Sequence, residues 1–175
     1  MIIKKTKFEG LLIIKQRKNT DSRGSLREIF NKKTLKKRFV FDYCTTSKGN
    51  VLRGFHFQTK FQQSKYVNVL KGKILDVVVD IRKYSKFYGE SFSIELDDIH
   101  NKQLFVPRGF AHGFIVLSNI ARVSYKVDNY YNPNSEEGLN YNDPKLDIDW
   151  KINKKDIIIN EKDLSYSDIN SIDFI

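Results

Sequence analysis

The stretch KYVNVLKGKILDVVVDI, residues 65–81, carries the clearest fold signal in the chain. Two runs rich in valine, leucine and isoleucine, residues 65–70 and 74–81, flank a Lys-Gly-Lys tripeptide that is typical of a turn. This spacing predicts two strands joined as a β-hairpin. Similar short runs recur at intervals of roughly ten residues, a pattern that indicates an all-β barrel or sandwich. These runs are residues 91–96, 103–106, 113–117 and 121–127.

The remaining segments give weaker signals. The polar segment from Lys151 onward predicts one helical turn and a tail. The length of 175 residues suits a single domain spanning residues 1–175, all-β with short helical segments. Elsewhere we expect extended structure in residues 11–15, 25–30 and 39–45, a turn in residues 21–24 and a short helical turn in residues 34–38.

Alternation along each strand predicts which side chains face the interior. Polar and charged groups that face inward in a small barrel indicate a pocket, because burying them unpaired costs on the order of several kcal/mol each. The inward polar residues predicted in this way are Tyr125 (with Ala121 and Val123), Lys65 (with Val67 and Val69), His56 and Gln58 (with Leu52), and Asp76 and Asp80 (with Val78).

The charge of the chain is basic but diffuse. Lysine and arginine number 31 against 21 acidic residues, which gives a net charge of +10. Because the lysines are scattered and form no long block, we expect a solvated surface and no nucleic-acid partner. A mildly positive field would still attract an anionic substrate such as a nucleotide diphosphate.

Cysteine content and apolar runs bear on the compartment. Cys44 is the only cysteine of the sequence, which excludes an intramolecular disulfide and a thiolate metal cluster. The longest apolar runs are too short to span a membrane, and residues 1–18 lack the continuous apolar region of a signal peptide. We therefore expect a cytoplasmic protein with no membrane partner.

The histidines favour acid–base chemistry. His100 lies in a polar turn and is expected at the surface, whereas His56 and His112 lie in aromatic, glycine-containing segments. A His-x-His metal pair is not completed, because Gln58 occupies its second position, so no metal site is predicted. No serine lies in a glycine elbow and no phosphate-binding glycine loop is present. A histidine base, a lysine and a tyrosine suit proton abstraction beside a carbonyl.

Several segments occur in a characteristic order along the chain. They are DSRGSLRE (21–28), VLRGFHFQ (51–58), SKYV (64–67), GKILDVVVDIRK (72–83), NKQLFVPRGFAHG (101–113) and NDPKLDIDW (142–150). Together they resemble the dTDP-4-dehydrorhamnose 3,5-epimerase family, and the first of them is similar to the amino-terminal DxRG segment of that family. The similarity covers the chain from about Phe8 to Asp163.

The resemblance implies a cupin jelly roll (a double-stranded β-helix), a homodimer and an epimerase that needs neither cofactor nor metal. The implied substrate is a nucleoside-diphosphate 4-keto-6-deoxy sugar, inverted at C3 and C5 on the way to cell-surface polysaccharide sugars. His56 corresponds to the base, Tyr125 to the acid on the opposite face, and Asp163 to the carboxylate paired with the base. Asp76 is the alternative partner of His56. Lys65, the fourth catalytic residue, and Arg53 correspond to groups near the keto oxygen and phosphates. The other implied substrate contacts are His112, which lines the site, and Arg23, Glu28, Gln58 and Tyr131.

One segment departs from the family pattern. Where the family commonly has FVQDNHS, residues 39–45 of this chain read FVFDYCT, so Phe41, Tyr43 and Cys44 replace polar side chains. The nucleotide base and the sugar therefore stay open. Inversion at C3 or C5 alone, ketoisomerisation, a GDP-linked 4-keto-6-deoxyheptose substrate, and a non-catalytic sugar- or nucleic-acid-binding cupin are the alternatives.

Overall fold

The computed structural model describes residues 1–171. Over this range the chain is mostly β-strand, with two one-turn helices, α1 (Lys32–Leu35) and α2 (Glu161–Leu164). The strands are β1 (Ile2–Lys5), β2 (Leu12–Lys15), β3 (Lys18–Asp21), β4 (Gly24–Arg27), β5 (Phe41–Lys48), β6 (Leu52–Gln58), β7 (Lys65–Lys71), β8 (Lys73–Asp80), β9 (Ser91–Asp97), β10 (Lys102–Val106), β11 (Phe110–Val116), β12 (Ile120–Val127) and β13 (Glu136–Gly138).

Two antiparallel sheets form the body of the fold. One has six strands in the order β1-β2-β10-β7-β12-β5, and the other has five in the order β13-β6-β11-β8-β9. Strands β3 and β4 form a separate two-stranded hairpin. Strands distant in sequence lie side by side in both sheets, which is the connectivity of a jelly roll. The predicted all-β cupin fold is confirmed.

The main apolar core fills the space between the two sheets. Val67 and Val69 of the six-stranded sheet pack in one cluster with Ile74 and Val78 of the five-stranded sheet. Tyr125 belongs to the same cluster, as the alternation predicted. Since apolar burial is the dominant favourable term in folding, this shared core holds the two sheets face to face. It leaves a cavity at one end of the barrel.

The predicted hairpin over residues 65–81 is wrong. Strand β7 pairs with β10 and β12, whereas β8 pairs with β11 and β9, so Gly72 carries the chain from one sheet to the other. Both strands are buried on both faces, since each sheet is covered on both sides at this point. A two-strand spacing with a glycine between the strands does not distinguish a hairpin from such a crossing.

The predicted face of Leu52 is also wrong. His112 lies opposite His56 and Phe114 lies opposite Arg53, so β6 has one more residue than β11 between these pairs. This β-bulge breaks the alternation. As a result Leu52 packs on the outer side of the five-stranded sheet, while His56 faces the cavity.

Element ends differ from the sequence expectations by a few residues. The helical turn expected at residues 34–38 is α1 (Lys32–Leu35), which Asn31 caps through its side chain. Strand β4 ends at Arg27, three residues before the expected end. The segment after residue 150 contains α2 and two 3-10 turns, and it packs with Trp150 and Ile169 against the outer side of the five-stranded sheet.

Gly72 provides a test of the crossing between the sheets. Its φ is +81°, and a Cβ at this position would overlap the Ile120 carbonyl oxygen. We expect Gly72→Ala to lower the free energy of unfolding by about 3 kcal/mol or more, because backbone strain adds to overpacking. Gly89→Ala is the matched control, since φ there is +79° and the new Cβ would make only an ordinary contact with Ile169. Urea denaturation measures both variants, and equal losses of stability would contradict this reading of the crossing.

Candidate active site

Two adjoining cavities lie between the sheets at one end of the barrel. The large cavity has a volume of about 370 Å³ and the small cavity about 160 Å³. His56, Lys65 and Tyr43 line both cavities and therefore stand where they meet. The large cavity is also lined by Phe41, Phe57, Gln58, Gln62, Gln63, Ile81, Gly109, Phe110, Tyr131 and Glu136, and the small cavity by Thr45, Arg53, His112, Gly113, Phe114 and Tyr125.

His56 forms a hydrogen-bonded pair with Asp163. The imidazole Nε2 lies 2.9 Å from Asp163 Oδ1, and the carboxylate is 2% exposed. Its second oxygen accepts a hydrogen bond of 2.9 Å from the Gly54 backbone N–H. Burial raises the pKa of Asp163, but the hydrogen bonds from His56 and Gly54 outweigh it and hold that pKa below its usual value. An ionised carboxylate on Nε2 fixes the imidazole tautomer with its lone pair on Nδ1.

The local sequence explains how this pair forms. Gly54 has a φ of +121°, and a Cβ there would lie 2.6 Å from the Gly113 Cα, so β6 and β11 approach too closely for a side chain. Asn160 caps α2 and accepts a hydrogen bond of 2.7 Å from the Asp163 N–H, which places this carboxylate beneath β6. The contact spans 107 positions in sequence, and the structure brings its two members together as the resemblance implied.

Asp76 is not the partner of His56. Its Oδ1 lies 2.9 Å from Nε2 of His112, the residue directly across from His56 on β11. Both members of this second pair are buried, with side-chain exposures of 4% and 0%. The alternative pairing proposed from the sequence is therefore wrong, because His56 pairs with Asp163 of α2 and Asp76 pairs with His112.

Lys65 extends from the six-stranded sheet into the junction of the two cavities. Its Nζ is 3.5 Å from the His56 carbonyl oxygen. Burial lowers the pKa of Lys65 to about 8, although the carboxylates of Asp76 and Glu136 favour its charged form. Lys65 therefore loses its ammonium proton at a lower pH than an exposed lysine does, and its amino group lies next to the His56 backbone.

Tyr125 stands on the opposite wall from His56. It lies on β12 of the six-stranded sheet and is 4% exposed, while His56 lies on β6 of the five-stranded sheet. Burial raises the pKa of Tyr125 well above its usual value, and the neighbouring Tyr43 and Asp76 raise it further. Its phenol is therefore a proton donor rather than a base near neutral pH.

Three other predicted contacts also line the cavities. Arg53 borders the small cavity, and its Nε donates a hydrogen bond of 2.9 Å to Ser47 Oγ. Tyr131 lies at the large cavity and is half exposed. Gln58 lines the same cavity, but its Nε2 donates to the Phe61 carbonyl and its Oε1 accepts from the Asn132 N–H, so its amide braces the surrounding loops.

Arg23 and Glu28 lie outside both cavities of their own chain. Arg23 is at the tip of the β3–β4 hairpin, where it donates to Asp21 at 2.7 Å with 88% of its side chain exposed. Glu28 follows this hairpin, is exposed, and accepts from Asn31 Nδ2 at 2.8 Å. The structure of one chain therefore does not bring these two predicted contacts to the site.

Sequence reasoning missed Glu136 and Lys162. Glu136 accepts a hydrogen bond of 2.9 Å from the Tyr131 hydroxyl and forms an ion pair with Lys162, which places a charged cluster on the wall of the large cavity. Burial raises the pKa of Glu136, but Lys162 and Tyr131 outweigh it and hold that pKa below its usual value. Glu136 lies on the three-residue strand β13, which is too short to give a periodic signal.

The part of the chain that the structure describes has neither a metal-binding cluster nor a membrane-spanning helix. Within residues 1–171, no group of three or more histidine, cysteine, aspartate or glutamate side chains is arranged to hold a metal ion. No helix in that part of the chain has the length and apolar character needed to cross a bilayer. His100, which pairs with Asp97, is exposed as expected.

Comparison with known proteins identifies the family. The family model described as dTDP-4-dehydrorhamnose 3,5-epimerase matches residues 5–171. The chain belongs to this family. A 3,5-epimerase of Methanothermobacter thermautotrophicus is 42% identical over 168 residues, covering 93% of this chain and 91% of the relative. The corresponding Escherichia coli enzyme is 41% identical over 157 residues, covering 86% and 85%.

Solved structures of this family superpose closely on the chain. The epimerase of Legionella pneumophila, in complex with dTDP-4-keto-L-rhamnose, has a TM-score of 0.93 at 38% identity and covers 98% of this chain and 94% of its own. The enzyme of Elizabethkingia anophelis has a TM-score of 0.91 at 41% identity and covers 97% of both chains. This likeness over nearly the whole length extends the family assignment from sequence to structure.

Proposed function

We propose that this protein inverts C3 and C5 of a dTDP-linked 4-keto-6-deoxy sugar by removing a proton from one face of each carbon and returning one to the other. The observation that carries the proposal is the placement of the His56–Asp163 pair and Tyr125 on opposite sheets around one small cavity. The family membership supports the same reaction, since the matching model and relatives are described as 3,5-epimerases.

His56 is suited to the role of base. The 4-keto group acidifies the protons on both flanking carbons, so a neutral imidazole can remove them. Because Nε2 is held by Asp163, Nδ1 accepts the proton, and the carboxylate stabilises the imidazolium that forms. The pair thus provides a base of fixed tautomer at the wall of the cavity.

Inversion needs a proton donor on the other face. In the proposed step, Tyr125 gives its phenolic proton to the planar enolate carbon, and the C–H bond forms opposite the one that broke. Solvent then reprotonates the phenolate, and His56 releases its proton to solvent. Protons balance over the cycle, and neither an oxidant nor a cofactor takes part.

Cations near His56 are suited to the negative charge that develops. The Lys65 ammonium lies at the junction of the cavities, where it can stabilise the enolate oxygen formed from the keto group. Arg53 and Lys162 are further cations near the site, suited to a diphosphate. The net charge of +10 would favour the approach of such an anion.

Assembly and cellular role are part of this proposal. We propose a homodimer, because the β3–β4 hairpin is exposed and holds Arg23 and Glu28 away from the site of its own chain. In a dimer, these two residues could reach the site of the second copy. We also propose that the enzyme acts in the cytoplasm and supplies sugars for cell-surface polysaccharides. The substrate is then the partner molecule, with no role for nucleic acid or membrane.

Solvent exchange tests the reaction. In D₂O, wild-type protein should incorporate deuterium at C3 and C5 of dTDP-4-keto-6-deoxyglucose, as followed by NMR. His56→Ala should lower this exchange by about 10²-fold to 10⁴-fold, since it removes the general base. Asp163→Asn should retain KM and lose a large part of kcat.

The controls separate the alternatives. Glu161→Gln changes an exposed carboxylate in the same helix as Asp163 and should leave exchange at the wild-type rate. Exchange at one carbon alone would assign a single-site epimerase. Binding of the nucleotide sugar without any exchange by the wild-type protein would overturn the proposed function.

The pKa of Lys65 predicts an alkaline limb. Its ammonium loses a proton as the pH rises through about 8, so kcat/KM should fall above that value. Tyr43, with a pKa near 12, and Tyr125 stay protonated in this range. In Lys65→Arg the limb should move upward, since a guanidinium stays charged. The pH dependence of the exchange rate, corrected for exchange without enzyme, measures this effect. A wild-type kcat/KM that stays constant up to pH 10 would contradict the role of Lys65.

A further inference from the structure

Tyr43 forms the closest aromatic contact of Tyr125. The two residues lie directly opposite each other on the antiparallel strands β5 and β12. Their ring centroids are 4.6 Å apart and their planes differ by 12°, which is a parallel stack. His112 meets the same Tyr125 ring edge-on, at 6.1 Å and 68°. The Tyr125 ring is therefore held on two sides by aromatic groups.

The position of Tyr43 makes this stack important for the cavity. Tyr43 lines both the large and the small cavity, whereas Tyr125 lines the small cavity. Removing the Tyr43 ring would open space beside Tyr125 at the point where the cavities meet. The Tyr125 ring could then tilt into that space, and its hydroxyl would leave the direction set by the stack.

Tyr43 falls in FVFDYCT, residues 39–45, the segment in which aromatic groups stand where polar ones were expected. Phe41 lies two residues earlier on the same face, and its ring is 5.8 Å from that of Tyr43. The stack thus continues to Phe41, which lines the large cavity and whose ring centroid is 6.4 Å from that of Tyr130.

We propose that Tyr43 is a positioning residue whose ring, through its stack on Tyr125, aims the Tyr125 hydroxyl at the second face of the sugar. This inference rests on the proposed function, since it assigns Tyr125 as the acid of that reaction. It concerns the ring of Tyr43 and not its hydroxyl. Burial, together with the charge of Glu136, raises the pKa of Tyr43 to about 12, so the phenol stays neutral throughout the working range.

The test compares inversion with exchange. A carbon that loses its proton to His56 can take up deuterium from Tyr125 on the far face, which inverts it. It can also take up deuterium from His56 on the original face, once His56 has exchanged its proton with D₂O. The ratio of inverted carbons to carbons that exchanged without inversion therefore reports how often Tyr125 transfers its proton to the far face. Because both products come from the same folded molecules, partial misfolding of a variant does not change this ratio.

Two substitutions of Tyr43 separate its ring from its hydroxyl. Tyr43→Phe keeps the ring, and its ratio should stay within about twofold of the wild-type value. Tyr43→Leu removes the stack, and its ratio should fall by about tenfold while deuterium exchange continues. Thr46→Ala is the matched control on the same strand: Thr46 is exposed and lines neither cavity, so its ratio should match that of the wild type.

Either of two results for the ratio of inversion to exchange would overturn the proposal. In one, Tyr43→Leu keeps the wild-type ratio. In the other, Tyr43→Phe loses as much inversion as Tyr43→Leu, which would give the hydroxyl the active role.

Crystal structures of the two variants give a readout that does not need turnover. The Tyr125 ring should keep its orientation in Tyr43→Phe and tilt or adopt several conformers in Tyr43→Leu. An unmoved ring in Tyr43→Leu refutes the positioning role. A wild-type protein that exchanges no deuterium refutes the proposed function instead, and the ring orientation still decides the role of Tyr43.

Discussion

The carboxylate of Asp163 ties the carboxy-terminal segment to the barrel by accepting hydrogen bonds from His56 and from the Gly54 N–H. Gly54 lies in the irregular part of β6 between Arg53 and His56, where β6 approaches β11 too closely for a side chain. The bond from His56 also sets the tautomer of this proposed base. A structural link and a chemical property therefore depend on one buried acid, which explains why a short helix at the end of the chain belongs to the site.

The two-sheet architecture supplies the second requirement of the reaction. A base and an acid that act on opposite faces of a flat intermediate need opposite walls, and a jelly roll provides them as its two sheets. His56 projects from one sheet, while Tyr125 and Lys65 project from the other. Burial then adjusts the groups for their tasks, since it keeps the Tyr125 phenol protonated and weakens the hold of Lys65 on its proton.

Local pattern was enough for most of the strands, though not for β1, β3 and β13, and for the faces of Tyr125 and Lys65, because period-2 alternation depends on neighbouring residues alone. It failed at Gly72, where the sheet to which each strand belongs is decided by partners far along the chain. It failed again at Leu52, because a bulge is visible only when two strands are paired. Glu136 went unnoticed for a related reason, since its strand has three residues. Asp163 was predicted as the partner of His56 from the resemblance to a family motif. The distance between the two side chains depends on the fold and could not be predicted from the sequence.

The central claim is that a sugar ring binds between His56 and Tyr125. A crystal structure of this protein with a non-reacting dTDP-linked sugar tests it most directly. The account predicts that His56 Nδ1 lies within about 3.5 Å of C3 or C5 on one face of the ring. It also predicts the Tyr125 hydroxyl on the other face and Lys65 near the oxygen at C4. A sugar bound outside the small cavity, or one with His56 and Tyr125 on the same face, would contradict the account.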